Sequence, residues 1–232
     1  MPSTKMKPIK LYGHWGVEPS KVAVILGELK LPYEIELVES TEVKSPEYTA
    51  INPNGRLPAI HDPNTGLTLW ESGPIMEYLV EKYDTARTLS FRPGSNEWLC
   101  ATNPVADYHA KQYLAYQISG QGPCFENVVY FLRFSDDPNP DAVARFIKET
   151  KRVAAVLESV LSDKKKNGGE PWLVGNRISY ADLSFLGGFH LVTIVAPREL
   201  LDLSDYPVLR EWLDRIGARK AVRETYAKFR VI

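Results

Sequence analysis

The 232-residue chain predicts an α/β domain followed by an all-α domain, and three observations carry that prediction. Up to about residue 83, period-2 apolar alternation and apolar recurrence at helical spacing take turns, so short strands and helices interleave. A polar stretch from Asp84 to Gly94, closed by Pro93-Gly94, breaks the pattern. Beyond it the apolar periodicity is helical throughout. The expected boundaries are 1–88 for the first domain, 89–95 for a linker and 96–232 for the helical domain.

In order, Ile9-Lys10-Leu11-Tyr12 is a short alternating strand. After a loop from Gly13 to Glu18, Pro19 opens a helix in which Val22, Ile25, Leu26 and Leu29 recur at helical spacing. Proline suits that first turn, where its missing N–H has no intrahelical partner to lose. Leu31-Pro32 stops the helix, and Tyr33 to Val38 forms a second strand. A polar stretch with Pro46 leads through a short helical turn to Ile51. Ala59-Ile60 begins a third strand, a fourth ends near Trp70, and Ile75, Met76 and Leu79 mark the next helix. Strand, helix, strand, helix, strand, strand, helix is the order of a thioredoxin-like domain. Helices are then expected near 96–120, 125–134, 140–162, 180–194 and 206–217. Ser179-Tyr180-Ala181-Asp182 reads as a capping box, in which a serine and an acid three residues on satisfy the free N–H groups of a helix start.

Composition narrows the function classes. The net charge of −1 gives no basic surplus for nucleic acid or other polyanions. The one basic run, Lys164-Lys165-Lys166, stands beside Asn167-Gly168-Gly169 and reads as a solvated loop. Two cysteines, Cys100 and Cys124, are too far apart for a redox or metal pair motif and too few for a disulfide framework, so both are expected as free thiols. His14, His61, His109 and His190 have no metal-ligand spacing, and no metal is assigned. The first ten residues lack an apolar core of signal-peptide length and no run reaches membrane-spanning length, which predicts a cytoplasmic protein with no nucleic-acid or membrane partner.

The most informative stretch runs from Ile51 to Ile60, Ile-Asn-Pro-Asn-Gly-Arg-Leu-Pro-Ala-Ile, with Glu71-Ser72 shortly after. Leu57-Pro58 is a candidate cis peptide that would leave the N–H and C=O of Leu57 for a peptide-like ligand. Ser72, at a helix start, offers N–H groups and a positive dipole end to a carboxylate, while Glu71 is placed to take an ammonium. A small ligand with an α-amino and an α-carboxylate group suits the pair.

On these residues the sequence resembles the cytosolic glutathione transferases. The Asn-Pro-x-x-x-Leu-Pro-Ala loop and the Glu-Ser pair are similar to their glutathione site, and Trp172 to Leu183 to the capping motif of their helical domain. Tyr116 to Pro123, Tyr-Gln-Ile-Ser-Gly-Gln-Gly-Pro, resembles the fungal branch that includes the yeast nitrogen-regulating prion protein. The resemblance spans about Lys7 to Phe229. It implies glutathione as cofactor, held by Arg56, Leu57, Pro58, Glu71 and Ser72, with Lys44 standing where some relatives place a histidine near the glycine carboxylate. It also implies a homodimer, and a small electrophilic or unsaturated metabolite as the second substrate.

One departure stands out. The fungal relatives carry an Asn in a Gly-Pro-Asn-Pro-x-Lys-Val pattern before the first helix, and here Gly16-Val17-Glu18-Pro19-Ser20-Lys21-Val22 puts Glu18 in that place. An unpaired carboxylate about 4 Å from a thiolate opposes it by roughly 4 kcal/mol at an effective dielectric of about 20, or about three pKa units. Either Glu18 turns away and complements the helix dipole, leaving Ser20 or backbone N–H groups to hold the sulfur, or it serves as a general acid or base. Glu18 and Ser20 are thus the candidate catalytic residues. Trp15, with His14 beside it, and one helical face carrying Tyr108, Gln112, Ala115 and Ser119 are the candidate acceptor-binding groups, with interior packing as the rival role of Tyr108 and Gln112. Two functions fit: a glutathione-dependent transferase or double-bond isomerase, in the latter case serving a fungal specialised-metabolite pathway, and a non-catalytic glutathione-binding regulator of the same fold. The regulator among the relatives carries an Asn/Gln-rich extension, and its absence here favours the enzyme.

Overall fold

A computed structural model describes residues 6–14, 16–91, 106–137 and 139–229. Among these the chain runs β1 (Ile9–Gly13), α1 (Val17–Glu28), β2 (Tyr33–Leu37), α2 (Pro46–Thr49), β3 (Ala59–Asp62), β4 (Leu67–Trp70) and α3 (Ser72–Tyr83). Then come α4 (Ala106–Tyr116), a π-helical turn (Gln117–Gln121), α5 (Gly122–Arg133), α6 (Pro140–Lys166), α7 (Tyr180–Val195), α8 (Pro207–Gly217) and α9 (Lys220–Phe229). They form two compact units, Met1–Thr85 with Lys220–Ile232, and Ala86–Arg219.

In the first unit four strands lie in the order β2-β1-β3-β4. β1 runs parallel to β2 and antiparallel to β3, with Leu11 opposite Ile35 on one side and Ile60 on the other; β4 is antiparallel to β3. Fully buried Ile9, Leu11, Val22, Ile25, Leu26, Ile60, Ile75, Met76 and Leu79 form the core that the alternation and helical spacing foretold. This is the thioredoxin-like order predicted from the sequence. Buried Asp62, at the end of β3, accepts hydrogen bonds from the Tyr78 hydroxyl at 2.6 Å, from the Tyr83 hydroxyl and from Asn64 N–H at 2.8 Å, which ties the β3–β4 turn to α3. Burial raises its proton affinity, but these donors outweigh it and hold the carboxyl below its ordinary range.

The final helix departs from the expected boundary at residue 96. α9 clusters with the first unit, because Val222, Thr225, Tyr226 and Phe229 are buried there and Ala221 meets α1 at Gly27, where an added Cβ would lie 3.3 Å from it. Its short repeat of Val222, Thr225, Tyr226 and Phe229 marks the face it buries and is no guide to which unit it joins.

The second unit is built around α7, in which every residue from Tyr180 to Phe189 is buried. Asp182, fully buried, accepts from the N–H of Leu173 at 2.9 Å, the N–H and hydroxyl of Ser179 at 2.8 and 2.6 Å, and the Trp212 indole at 3.0 Å. Lys164-Lys165-Lys166 corrects another expectation. The three lie in the last turn of α6, where cations complement the helix dipole, and not in a loop. Lys165 pairs with Glu211 of α8 at 2.5 Å, and burial pushes the Lys164 ammonium down. Gln117 and Gln121 of the π turn are buried and bonded to each other at 3.0 Å, and Gln121 donates to the Phe185 carbonyl. Cys124 is a free thiol, and Cys100 lies outside the described residues.

Candidate functional site

Within the first unit, the proline loop before β3 is fixed from behind. Ser45 caps α2 by accepting from Tyr48 N–H at 3.2 Å, and Tyr48 is buried. The Tyr48 hydroxyl and the Asn52 side-chain amide both donate to the Arg56 carbonyl, at 2.8 and 2.6 Å. Burial pushes the Tyr48 phenol up to about 12. Gly55 has φ 58°, and a Cβ there would lie 2.6 Å from the Val43 carbonyl oxygen, so the turn requires glycine. These bonds hold the backbone of Arg56-Leu57-Pro58 while leaving the Arg56 side chain exposed. The Leu57–Pro58 peptide is cis.

Asn54, at the tip of the same loop, joins two charged groups. Lys44 Nζ donates to the Asn54 carbonyl at 2.8 Å, and the Asn54 amide donates to Glu71 Oε1 at 3.2 Å. Glu71 itself has φ 70°, an uncommon conformation for a residue with a side chain, immediately before α3. Its exposed carboxylate therefore stands beside the free N–H groups of the α3 N-terminus. An ammonium and a carboxylate on one carbon can be received together at this corner, by Glu71 and by α3 respectively.

Ser72 is buried and its hydroxyl donates to Glu18 Oε2 at 2.7 Å, across 54 residues of sequence. The same oxygen pairs with Lys21 Nζ at 2.7 Å. The Lys21 side chain is only 2% exposed against 30% for Glu18, so the acid offsets a buried cation one helical turn on. The penalty computed for an unpaired Glu18 is thus offset inside the unit, and the first turn of α1 is tied to the first turn of α3. Ser20 is fully buried, with its hydroxyl donating to the Val17 carbonyl at 2.7 Å. Gly16, at φ 138°, precedes α1. His14 pairs with Glu39 at 2.9 Å, and Trp15 lies outside the described residues.

In the helical unit Tyr108 is 66% exposed and Gln112 is exposed, so packing inside that unit does not account for them. Ser119 is also exposed, but it belongs to the π turn and donates to the Ala115 carbonyl at 2.9 Å. The wider turn shifts its angular position from that of a continuous α-helix.

Four site residues escaped the sequence reading: Lys21, Tyr48, Asn52 and Asn54. The signal for the asparagines was present in Asn52-Pro53-Asn54-Gly55, a turn sequence whose side chains bond nearby backbone. Lys21 gave none, because a lysine at an otherwise apolar helix position looks like a solvated one.

Two family models match in chain order, "Glutathione S-transferase, N-terminal domain" over residues 19–82 and "Glutathione S-transferase, C-terminal domain" over residues 125–228. The glutathione S-transferase-like protein gedE of Aspergillus terreus is 46% identical over 224 residues, covering 95% of each chain. Among solved structures, the glutathione transferase URE2P8 of Phanerochaete chrysosporium, crystallised with oxidized glutathione, matches with a TM-score of 0.85 and 33% identity over 98% of this chain and 97% of that one. The nitrogen regulation fragment of the yeast prion protein Ure2p matches with a TM-score of 0.83 and 26% identity, over 98% and 99% of the two chains. With a relative at this identity matched over 95% of both chains, and with the strand order and capped central helix described above, the protein belongs to the glutathione S-transferase family, in its fungal Ure2p-like branch.

Proposed function

We propose that the protein binds glutathione in its first unit and acts as a glutathione transferase, or as a glutathione-dependent double-bond isomerase, on a small electrophilic or unsaturated metabolite. The observation that carries the reading is the corner at Glu71 and Ser72, where a backbone at positive φ sets a carboxylate beside a helix N-terminus. The residues fit the tripeptide. Glu71 takes the α-ammonium, the α3 N-terminus and Ser72 the α-carboxylate, the Leu57 backbone the cysteinyl peptide, and Lys44 with Arg56 the glycine carboxylate. Pro58, buried, shapes that backbone. Bound glutathione supplies a thiol that adds as thiolate to an unsaturated or electrophilic carbon, with later elimination in the isomerase.

Gly16 and the α1 N-terminus provide N–H groups and a positive dipole end for the sulfur, and Glu18, neutralised by Lys21, does not oppose it. Ser20 enters as a buried first-turn residue, since its hydroxyl is spent on Val17. Trp15, Tyr108, Gln112 and Ser119 are the proposed acceptor-binding groups. The proposal extends to a role in specialised-metabolite synthesis in the cytoplasm, by a homodimer, for a chain similar to fungal glutathione S-transferase-like proteins. None of the helices among the described residues is long and apolar enough to cross a membrane.

A second reading, a non-catalytic glutathione-binding regulator, is favoured by the Ure2p likeness. Calorimetry tests what the two share. Glu71→Ala should weaken glutathione binding about tenfold, the loss of one charge-assisted contact, and Ser72→Ala should weaken it less, because its hydroxyl already donates to Glu18 in the free protein. Affinity equal to that of the parent in both variants would remove the assigned site. Turnover of unsaturated metabolites with glutathione separates enzyme from regulator.

A further inference from the structure

A serine hydroxyl has one proton to donate. In this protein that proton of Ser72 already points at a carboxylate, Glu18 Oε2 at 2.7 Å, and Ser72 is only 6% exposed. If the corner receives a ligand carboxylate, as proposed above, the ligand and Glu18 need the same donor. Glu18 is not left stranded by losing it, because Lys21 Nζ sits 2.7 Å from the same oxygen and is held there by burial. Two acceptors, one proton and a standing cation make an exchange, not a shared site.

We propose that Glu18 is an internal stand-in for the ligand carboxylate. It occupies Ser72 in the free protein, yields it when the tripeptide binds, and thereby lowers affinity for any ligand that carries the α-carboxylate. The inference rests on the glutathione reading of this corner. Its consequence is that occupancy at the N-terminus of α3 is reported to the first turn of α1. Glu18 gives up that hydrogen bond and keeps its pair with Lys21 when the site is filled. Glu18 is a specificity-setting residue in this scheme, acting through Ser72.

The test is calorimetric, with glutathione and with 4-aminobutyryl-cysteinylglycine, the same tripeptide without the α-carboxylate. Glu18→Gln weakens the competing acceptor and should tighten glutathione about fivefold to tenfold while leaving the analogue within about twofold, a charge-assisted bond being roughly twice as strong as a neutral one. Glu18→Asp keeps the charge but draws the oxygen back by one methylene, and should tighten glutathione in the same direction. In a Ser72→Ala background both gains should vanish. A gain from Glu18→Gln that persists undiminished without the serine hydroxyl, or that is absent from Glu18→Asp, would show Glu18 acting by charge alone and overturn the exchange. Unchanged or weaker glutathione binding in Glu18→Gln, with its thermal melt retained, would overturn it as well. Failure of the parent protein to bind either peptide at millimolar concentration would instead remove the glutathione reading, and this inference with it.

Discussion

Tyr48 shows how a single side chain away from any ligand contact sets the site. Its hydroxyl holds the Arg56 carbonyl, and its burial raises the phenol from an ordinary value near 10.0 to about 12. A phenol that stays protonated longer in the folded state than in the unfolded one contributes stability fully present below pH ~10, and that contribution is lost as pH rises through about 12. Tyr48→Phe should therefore cost about 1 kcal/mol at pH 8, for the hydrogen bond, and flatten the fall in stability between pH ~10 and ~12. Urea midpoints of parent and variant across that range would show it. A gap that keeps its full size at the alkaline end would mean that the phenol is not the titrating group.

At the scale of the element, the start of α7 is the place where one substitution reaches furthest. Asp182 receives four donors from the chain before the helix, from the cap and from α8, and burial pushes its carboxyl up against them. Asp182→Ala strands those donors in the core and should cost about 3–5 kcal/mol. Asn139→Ala, at the exposed cap of α6 where the side chain accepts from Ala142 N–H at 2.9 Å, should cost only about 1 kcal/mol. Comparison of the two unfolding curves checks the ranking; equal losses would show that Asp182 is replaceable by a local rearrangement. The capping motif was legible because both its residues are sequence neighbours. The link from Asp182 to Trp212 was not, since nothing local in a sequence announces a partner 30 residues away.

At the scale of the molecule, the strand and helix order could be read from periodicity, and the corner at Glu71 and Ser72 from a resemblance that rests on short motifs. The Glu18 to Ser72 bond could not, because it joins two first turns that only the folded sheet brings together. The same limit hid the role of Lys21, whose burial is a property of the packed unit. Association of two copies is likewise invisible to pattern. The proposed homodimer predicts a sedimentation mass of two chains at micromolar concentration, and a single-chain mass there would remove it.

The placement of α9 bears on how such a chain comes to exist. Lys228 lies over the Tyr33 ring at 4.8 Å and Phe229 is 1% exposed, so the last helix closes the unit that the first strand begins. On a ribosome the residues of α9 emerge after those of the helical unit. The helical unit, contiguous from Ala86 to Arg219, is complete before them, while the first unit must wait with one flank of α1 bare. The unit begun first is thus finished after the helical one, and its readiness to bind a ligand reports that synthesis has passed α9.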